Sequence, residues 1–202
     1  TTKSEFNDAR SYEFSLFSEF ASKVEAIDYS MKHLKAWMKP EKRSANKPMN
    51  FLGGKSQVRY YPKGVVGIIS PWNLPFGLTV APLTSALAAG NRALLKPSEF
   101  VPETAALFAE VVPRSFAEEE VAVVTGGAAI SQQFAELPFD HLLFTGSTRI
   151  GAKVMQSAAK NLVPVTLELG GKSPVVIGRS AKVELAGTRL TFGKLLNGGQ
   201  LC

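Results

Sequence analysis

The sequence is nearly free of cysteine: Cys202 is the only one among its 202 residues. A single cysteine excludes an internal disulfide bond and a metal site built from several cysteines. No apolar run approaches the roughly 20 residues that a helix needs to cross a bilayer. The first ten residues also lack the basic and apolar regions of a signal peptide. We therefore expect a cytoplasmic protein with neither a metal centre nor a membrane partner.

The composition also lacks the bias towards polar residues that is typical of disordered chains, with 45% hydrophobic and 20% charged residues. The net charge of +6 could attract an acidic partner. Much of the excess lies in residues 32–47, but no recognition helix, zinc spacing or aromatic RNA platform accompanies it. We interpret this segment as a solvated helix end and loop. Nucleic-acid binding remains a distant alternative, which would require an affinity that falls steeply with salt.

The N-terminal part of the chain has a helical pattern that Pro40 ends. Apolar residues recur at spacings of three and four and predict a packing stripe on one helix face, formed by Phe20, Val24, Ile27, Met31, Leu34 and Met38. Residues 43–54 are interpreted as a connecting loop, and residues 57–61 as a short strand.

From Gly64 onward, short apolar runs alternate with stretches at helical spacing. Because these runs show no polar alternation, they predict strands buried on both faces, as in a parallel sheet covered by helices. The pattern indicates an α/β, doubly wound, Rossmann-like domain. The predicted strands are 65–70, 93–96, 121–125, 141–145 and 165–169, and the predicted helices are 78–89, 102–112, 130–135 and 147–159.

A further strand at 174–177 and a helix at 183–196 are predicted beyond the sheet. About 30 residues cannot bury a core of their own, so we expect only the beginning of a second domain there. The predicted organisation is an N-terminal helical segment, a bridging or oligomerisation strand region, a dinucleotide-binding domain and an incomplete catalytic domain, at 1–48, 49–64, 65–169 and 170–202.

Two motifs follow predicted strands, where the ligands of α/β sheets bind. Residues 70–73 read SPWN, and the amide of Asn73 could donate to an oxyanion, although on this motif alone a simple turn is the better explanation. Residues 96–99 read KPSE. Lys96 and Glu99 suit the hydroxyls of a ribose, but on their own they are no more specific than a surface ion pair.

A third motif, residues 144–151, turns from a strand into a helix. Gly146 permits a tight turn, and Ser147 can cap a helix whose N-terminus favours an anion. The motif is not the dinucleotide fingerprint G-x-G-x-x-G, because only Gly146 and Gly151 are present.

The fourth motif joins residues 167–174 with residues 197–202. Glu168 lies within an apolar strand, and burying a carboxylate is costly enough to indicate a specific task. A phosphate loop is excluded because Thr166 stands where its first glycine is required. Cys202 follows a Gly-Gly loop and could present a reactive thiolate, although a lone cysteine is usually a small buried residue.

In this order the four motifs resemble the aldehyde dehydrogenase superfamily, over residues 64–202. Their form is most similar to coniferyl aldehyde dehydrogenases, followed by the class 3-like enzymes that act on fatty and aromatic aldehydes. The resemblance implies that Cys202 is the nucleophile, that Asn73 stabilises the oxyanion and that Glu168 activates the hydrolytic water. It implies NAD as cofactor, with NADP also possible, bound by Ile69, Pro71, Trp72, Lys96, Ser98, Glu99, Gly146 and Ser147.

The implied reaction converts an aromatic aldehyde, of the coniferyl type, into a carboxylic acid, and the full-length enzyme would be a homodimer. Leu201 is bulkier than the family pattern leads us to expect. The family's catalytic domain continues past the cysteine, so we expect these 202 residues alone to lack turnover. One alternative is therefore a truncated cofactor-binding fragment. Another is a semialdehyde dehydrogenase that passes its acyl group to a carrier thiol, against which Glu168 argues.

Overall fold

A computed structural model of the chain describes residues 10–202, so the first nine residues of the predicted segment 1–48 lie outside the described part. The segment begins with helix α1 (Tyr12–Ser15), continues through a π-helical turn (Leu16–Ala21) and ends with helix α2 (Ser22–Trp37). The predicted helix and its end before Pro40 are therefore confirmed.

The packing stripe predicted on this helix is wrong for most of its length. No residue of α2 is buried, and Val24, Met31 and Met38 are exposed. Phe20 makes the clearest contact, because its ring stacks on the ring of Phe76 with the centroids 4.1 Å apart. A helical period identifies a face, but it does not reveal whether another element covers that face.

Two short antiparallel strands, β1 (Glu41–Arg43) and β2 (Ser56–Val58), form a separate ribbon. The predicted strand at 57–61 is thus present but shorter, and it starts one residue earlier. Strand β1 escaped the sequence analysis because its three residues, Glu, Lys and Arg, carry no apolar signal.

The main sheet has five parallel strands, which are those predicted from the apolar runs with bounds shifted by at most two residues. They are β3 (Val65–Ile69), β4 (Arg92–Lys96), β5 (Val121–Val123), β6 (His141–Gly146) and β7 (Val165–Leu169). Their order across the sheet is β5-β4-β3-β6-β7. The connecting helices are α3 (Gly77–Ala88), α4 (Pro102–Ser115), α5 (Ala128–Ala135) and α6 (Thr148–Ala158). The predicted α/β class with a doubly wound parallel sheet is confirmed.

Apolar clusters form on both faces of this sheet. Ile68 belongs to the cluster that contains Leu95 and Phe108, whereas its neighbour Ile69 belongs to the cluster that contains Leu142. Consecutive strand residues point to opposite faces, which explains why these runs lack polar alternation.

The strand order reverses once. The chain builds outward from β3 to β4 and β5, and then crosses to the other side of β3 to add β6 and β7. The connections from β3 and β6 therefore diverge to opposite sides, which opens a crevice at the carboxyl ends of these two strands.

Beyond β7 the chain is irregular up to helix α7 (Val183–Leu195), which confirms the predicted helix to within one residue. The strand predicted at 174–177 is wrong. Val175, Val176 and Ile177 are exposed, and none of the strands in residues 10–202 pairs with them. An apolar run forms a strand only where a neighbour completes its hydrogen bonds. Across residues 10–202, no helix combines the length and apolar character needed to span a membrane.

Candidate active site

A cleft of about 840 Å³ lies at the crevice between β3 and β6 and reaches the end of β4. All the residues predicted to bind the cofactor line this cleft: Ile69, Pro71, Trp72, Lys96, Ser98, Glu99, Gly146 and Ser147. The structure therefore brings together three separate motifs of the sequence. The part that each residue plays in binding stays a prediction.

The turn from β6 into α6 gives the cleft a helix N-terminus. Ser147 is extended and caps α6, with its Oγ accepting from the Ile150 N–H at 3.3 Å. A Cβ on Gly146 would lie 2.5 Å from the Phe144 ring, and one on Gly151 would lie 2.8 Å from the Leu169 side chain. The rigid Phe144 ring thus leaves no room for a side chain at Gly146, whereas a side chain at Gly151 would require Leu169 to move. Because free N–H groups and the helix dipole favour anions, this end of the cleft fits a pyrophosphate.

Lys96 and Glu99 form the part of the cleft at the end of β4. Lys96 is only 1% exposed, and its Nζ donates to the Pro97 carbonyl at 2.8 Å and lies 3.9 Å from Glu99 Oε2. Burial lowers the pKa of Lys96, and the charge of Glu99 partly opposes that change. A buried ammonium beside a partly exposed carboxylate offers both a donor and an acceptor, as ribose hydroxyls require.

The cleft includes several residues that the sequence analysis missed. Phe100, although exposed, forms part of its wall, and Ala128 contributes from the start of α5, directly after Gly126 and Gly127. Helices α5 and α6 and the turn after α6 add polar and basic residues, namely Ser131, Gln132, Arg149, Lys153, Gln156 and Lys160. The sequence did contain a signal for part of this set. Arg149 and Lys153 are four residues apart on α6 and therefore share one helix face, which could have been predicted to face the cleft.

The segment that ends at Cys202 folds back against the SPWN turn. Asn73 Nδ2 donates to the Gln200 carbonyl at 2.9 Å, and Asn197 Nδ2 donates to the Asn73 carbonyl at 3.0 Å. The Gly171 N–H donates to the Cys202 carbonyl at 2.6 Å. Two predicted catalytic residues, Asn73 and Cys202, thus belong to segments that are in direct contact. The Asn73 amide is held by a carbonyl oxygen, which is the kind of acceptor that an aldehyde also presents.

The turn before Cys202 depends on left-handed backbone. Asn197, Gly198 and Gly199 have φ values of 53°, 64° and 77°, a region that glycine adopts without cost. Nearby, Lys194 Nζ donates to the Ser173 carbonyl at 2.7 Å and so ties α7 to the loop after β7. Cys202 itself is exposed.

Glu168 lies near the end of β7, where it pairs with Thr145 of β6, three residues before Gly171. The prediction that its carboxylate is buried is wrong, because Glu168 is exposed. β7 is an edge strand of the sheet, and no element within residues 10–202 covers the face on which this side chain lies. The cost of burial therefore gives no argument for a task, and the catalytic role of Glu168 rests on the resemblance alone.

The sequence model that describes the aldehyde dehydrogenase family matches residues 7–202 of this chain. The chain belongs to the aldehyde dehydrogenase family. It is 49% identical, over 96% of its length, to a probable coniferyl aldehyde dehydrogenase of Caulobacter vibrioides, of which it covers 40%. Its family membership supports a nicotinamide cofactor.

Solved structures of other aldehyde dehydrogenases have the same fold. The substrate-bound state of Staphylococcus aureus AldH superposes with a TM-score of 0.88 at 39% identity, covering 93% of this chain and 41% of that one. The Mycobacterium tuberculosis aldehyde dehydrogenase complexed with NAD+ superposes with a TM-score of 0.79 at 34% identity, covering 91% of this chain and 37% of that one. The chain thus spans about 40% of the length of the curated relatives it matches.

Proposed function

We propose that the protein carrying this sequence oxidises an aldehyde to a carboxylic acid with NAD(P)+ through a covalent intermediate on Cys202. The observation that carries the proposal is the hydrogen bond of 2.9 Å from Asn73 Nδ2 to the Gln200 carbonyl. This bond brings the Asn73 amide next to the segment that carries the exposed thiol of Cys202. Both lie at the edge of a cleft that has the features of a dinucleotide site.

In the first step, the thiolate of Cys202 attacks the aldehyde carbon, and the new C–S bond gives a thiohemiacetal. The carbonyl oxygen becomes an oxyanion, to which the Asn73 amide and the Cys202 backbone N–H donate. Removing one such donor typically lowers turnover on the order of 10²- to 10³-fold. To reach the substrate, Asn73 exchanges its present acceptor, the Gln200 carbonyl, for the substrate oxygen.

When bound, the nicotinamide dinucleotide supplies a two-electron acceptor for the hydride that leaves the former aldehyde carbon. Cys202 then carries a thioester. Glu168 takes a proton from a water molecule, whose oxygen attacks the thioester carbon. The C–S bond breaks, and the products are the carboxylic acid and the free thiolate. Hydrolysis by water distinguishes this reaction from the alternative in which a carrier thiol accepts the acyl group.

The geometry of the cleft supports assigning the two ends of the cofactor. Lys96 and Glu99 would hold the adenosine ribose, with Ser98 between them, and Ser147 at the N-terminus of α6 would receive the pyrophosphate. An acidic residue at a ribose accepts from the 2′-hydroxyl and repels a 2′-phosphate. Glu99 therefore favours NAD over NADP.

The proposed substrate is an aromatic aldehyde of the coniferyl type. Support comes from the coniferyl aldehyde dehydrogenase of Pseudomonas sp. and the probable coniferyl aldehyde dehydrogenases of Caulobacter vibrioides and Pseudomonas aeruginosa, which are 47% to 49% identical to this chain. We further propose that the full-length protein is a cytoplasmic homodimer.

The test is an aldehyde oxidation assay with the full-length protein, coniferyl aldehyde and either NAD+ or NADP+. We expect the reduced cofactor and the carboxylic acid to form in equal amounts, faster with NAD+. Adding a carrier thiol should leave the rate unchanged, whereas a rate that depends on this thiol would identify the acyl-transfer alternative. Cofactor binding without any turnover would reject aldehyde oxidation and leave a binding module.

A further inference from the structure

The N-terminal segment carries a buried carboxylate that the proposed mechanism does not use. Glu19 lies in the π-helical turn and is completely buried. Its Oε1 accepts from Arg10 Nη1 at 2.7 Å, and its Oε2 accepts from the Gly77 N–H at 2.9 Å. Neighbouring Phe17 is 75% exposed, so this turn buries a carboxylate while leaving an adjacent aromatic side chain in solvent. Single π-helical turns of this kind occur frequently at functional sites.

The Arg10–Glu19 ion pair lies within the N-terminal segment, and burying it is a costly way to place a carboxylate against α3. Desolvation offsets much of the attraction between the charges, and apolar residues of similar volume often stabilise a protein equally well. Burial raises the pKa of Glu19, while the Gly77 N–H and Arg10 oppose that change. The pair is therefore better explained by the geometry it imposes than by the stability it adds.

That geometry concerns the start of α3, the helix that follows the SPWN turn. Gly77 is its first residue, only four positions after Asn73, and the residue before it, Phe76, has no side chain able to cap the helix. The Glu19 carboxylate thus satisfies a free N–H and balances the positive end of the helix dipole.

The other end of the same turn is also fixed. Thr79 Oγ1 lies 2.7 Å from Ser70 Oγ and donates to the Pro75 carbonyl at 2.6 Å. Residues 70–77 therefore form a loop that is pinned by Thr79 at Ser70 and by Glu19 at Gly77. Asn73 lies midway between these two attachments.

We propose that Glu19 is a positioning residue, which acts through the first turn of α3 to aim the Asn73 amide at the substrate oxygen. This inference rests on the proposed aldehyde oxidation. It assigns to the N-terminal segment a direct effect on the chemical step. A displacement of about 1 Å in a positioning group can cost on the order of 10²-fold in rate.

The test is a double-mutant cycle in the full-length protein with Glu19→Gln and Asn73→Ala. Each single substitution should lower kcat, Glu19→Gln on the order of 10-fold to 10²-fold and Asn73→Ala on the order of 10²- to 10³-fold. The affinity for NAD+ should stay unchanged in both. In the Asn73→Ala background, Glu19→Gln should have almost no further effect, because the group that it positions is gone.

Effects that multiply across the cycle would reduce Glu19 to a purely structural residue and overturn the inference. Glu25→Gln, at an exposed position of α2, is the matched control and should leave kcat unchanged. If Glu19→Gln does not fold, the same cycle is run with Glu19→Asp, whose shorter side chain draws the carboxylate away from the Gly77 N–H, and the same two outcomes decide. A wild-type protein that does not oxidise aldehydes would contradict the proposed function itself, a result distinct from a multiplicative cycle.

Discussion

The cofactor cleft and the nucleophile segment, residues 170–202, differ in what holds them in place. The cleft is built on strands whose apolar side chains form a core on each face of the sheet. The nucleophile segment contains no buried residue and exposes large apolar side chains, such as those of Val176 and Phe192. It is held against the SPWN turn by the hydrogen bonds from Asn73 to Gln200 and from Asn197 to Asn73, whereas the bonds from Gly171 and Lys194 lie within the segment itself. The shape of the cleft therefore rests on packing, whereas the position of the thiol rests on hydrogen bonds worth roughly 1 kcal/mol each.

The largest effect should come from replacing the sulfur atom of Cys202 by oxygen, which removes the nucleophile and leaves the cleft unchanged. We expect Cys202→Ser to abolish aldehyde oxidation in the full-length protein, by at least on the order of 10³-fold, because the thiolate forms the covalent intermediate. NAD+ affinity, measured by fluorescence titration, should change little because the cleft is untouched. Full activity in this variant would remove Cys202 from the mechanism.

Glu168 lies where the two regions meet, on the last strand of the sheet but beside the nucleophile segment. Glu168→Gln should slow deacylation on the order of 10²- to 10⁴-fold, because the amide does not act as a general base. Rapid-mixing kinetics should then show a burst of reduced cofactor followed by a slow phase. Glu119→Gln, at an exposed loop position, should behave as wild type. A uniform loss without a burst would argue for another base.

The difference in packing is tested by the same substitution in both regions. Leu142 is completely buried in the sheet, whereas Leu195, at the end of α7, is 66% exposed. Leu142→Ala should lower the free energy of unfolding by about 2–5 kcal/mol through the cavity that it leaves. Leu195→Ala should change it by no more than about 0.5 kcal/mol. Urea denaturation of the 202-residue chain measures both, and equal losses would refute the contrast.

The smallest effect concerns two lysines, one in each region, that both donate to a backbone carbonyl. Burial holds the pKa of Lys96 below its ordinary value of 10.5, so the unfolded state binds more protons between these two pKa values. The contribution of Lys96 to stability should therefore rise as the pH rises through that window. The difference in unfolding free energy between wild type and Lys96→Met measures it. Lys194→Met, at an exposed position, is the control.

The sequence predicts the fold wherever the signal is local. The runs of Val, Ile and Leu in β3, β4 and β6 identify strands because residues buried on both faces need no polar alternation. The apolar run at 174–177 has the same signal, but no neighbouring strand in the described part of the chain completes its hydrogen bonds. The prediction that Glu168 is buried was wrong for a similar reason. Burial of this side chain depends on a second element that covers the strand, and the local sequence does not show whether one exists.

The candidate site divides in a similar way. The cleft residues at the ends of β3, β4 and β6 could be predicted, because parallel strands bring their carboxyl ends to one edge of the sheet. The contact between Asn73 and Gln200 spans 127 residues, and nothing local indicates it. The same holds for Glu19, whose role depends on a backbone N–H that lies 58 residues further along the chain.

The reversal in strand order has a consequence for how the chain is made. β3 pairs with β6 across a wide gap in sequence, and the Val65 N–H donates to the Asp140 carboxylate 75 residues later. During synthesis, β4 and β5 can add to one edge of β3 while its other edge remains unpaired until β6 emerges from the ribosome. An unpaired strand of Val, Gly and Ile is a template for association with other chains. Between the synthesis of β3 and of β6, the nascent chain is therefore exposed to aggregation through this edge, and a chaperone that covers the edge would protect it.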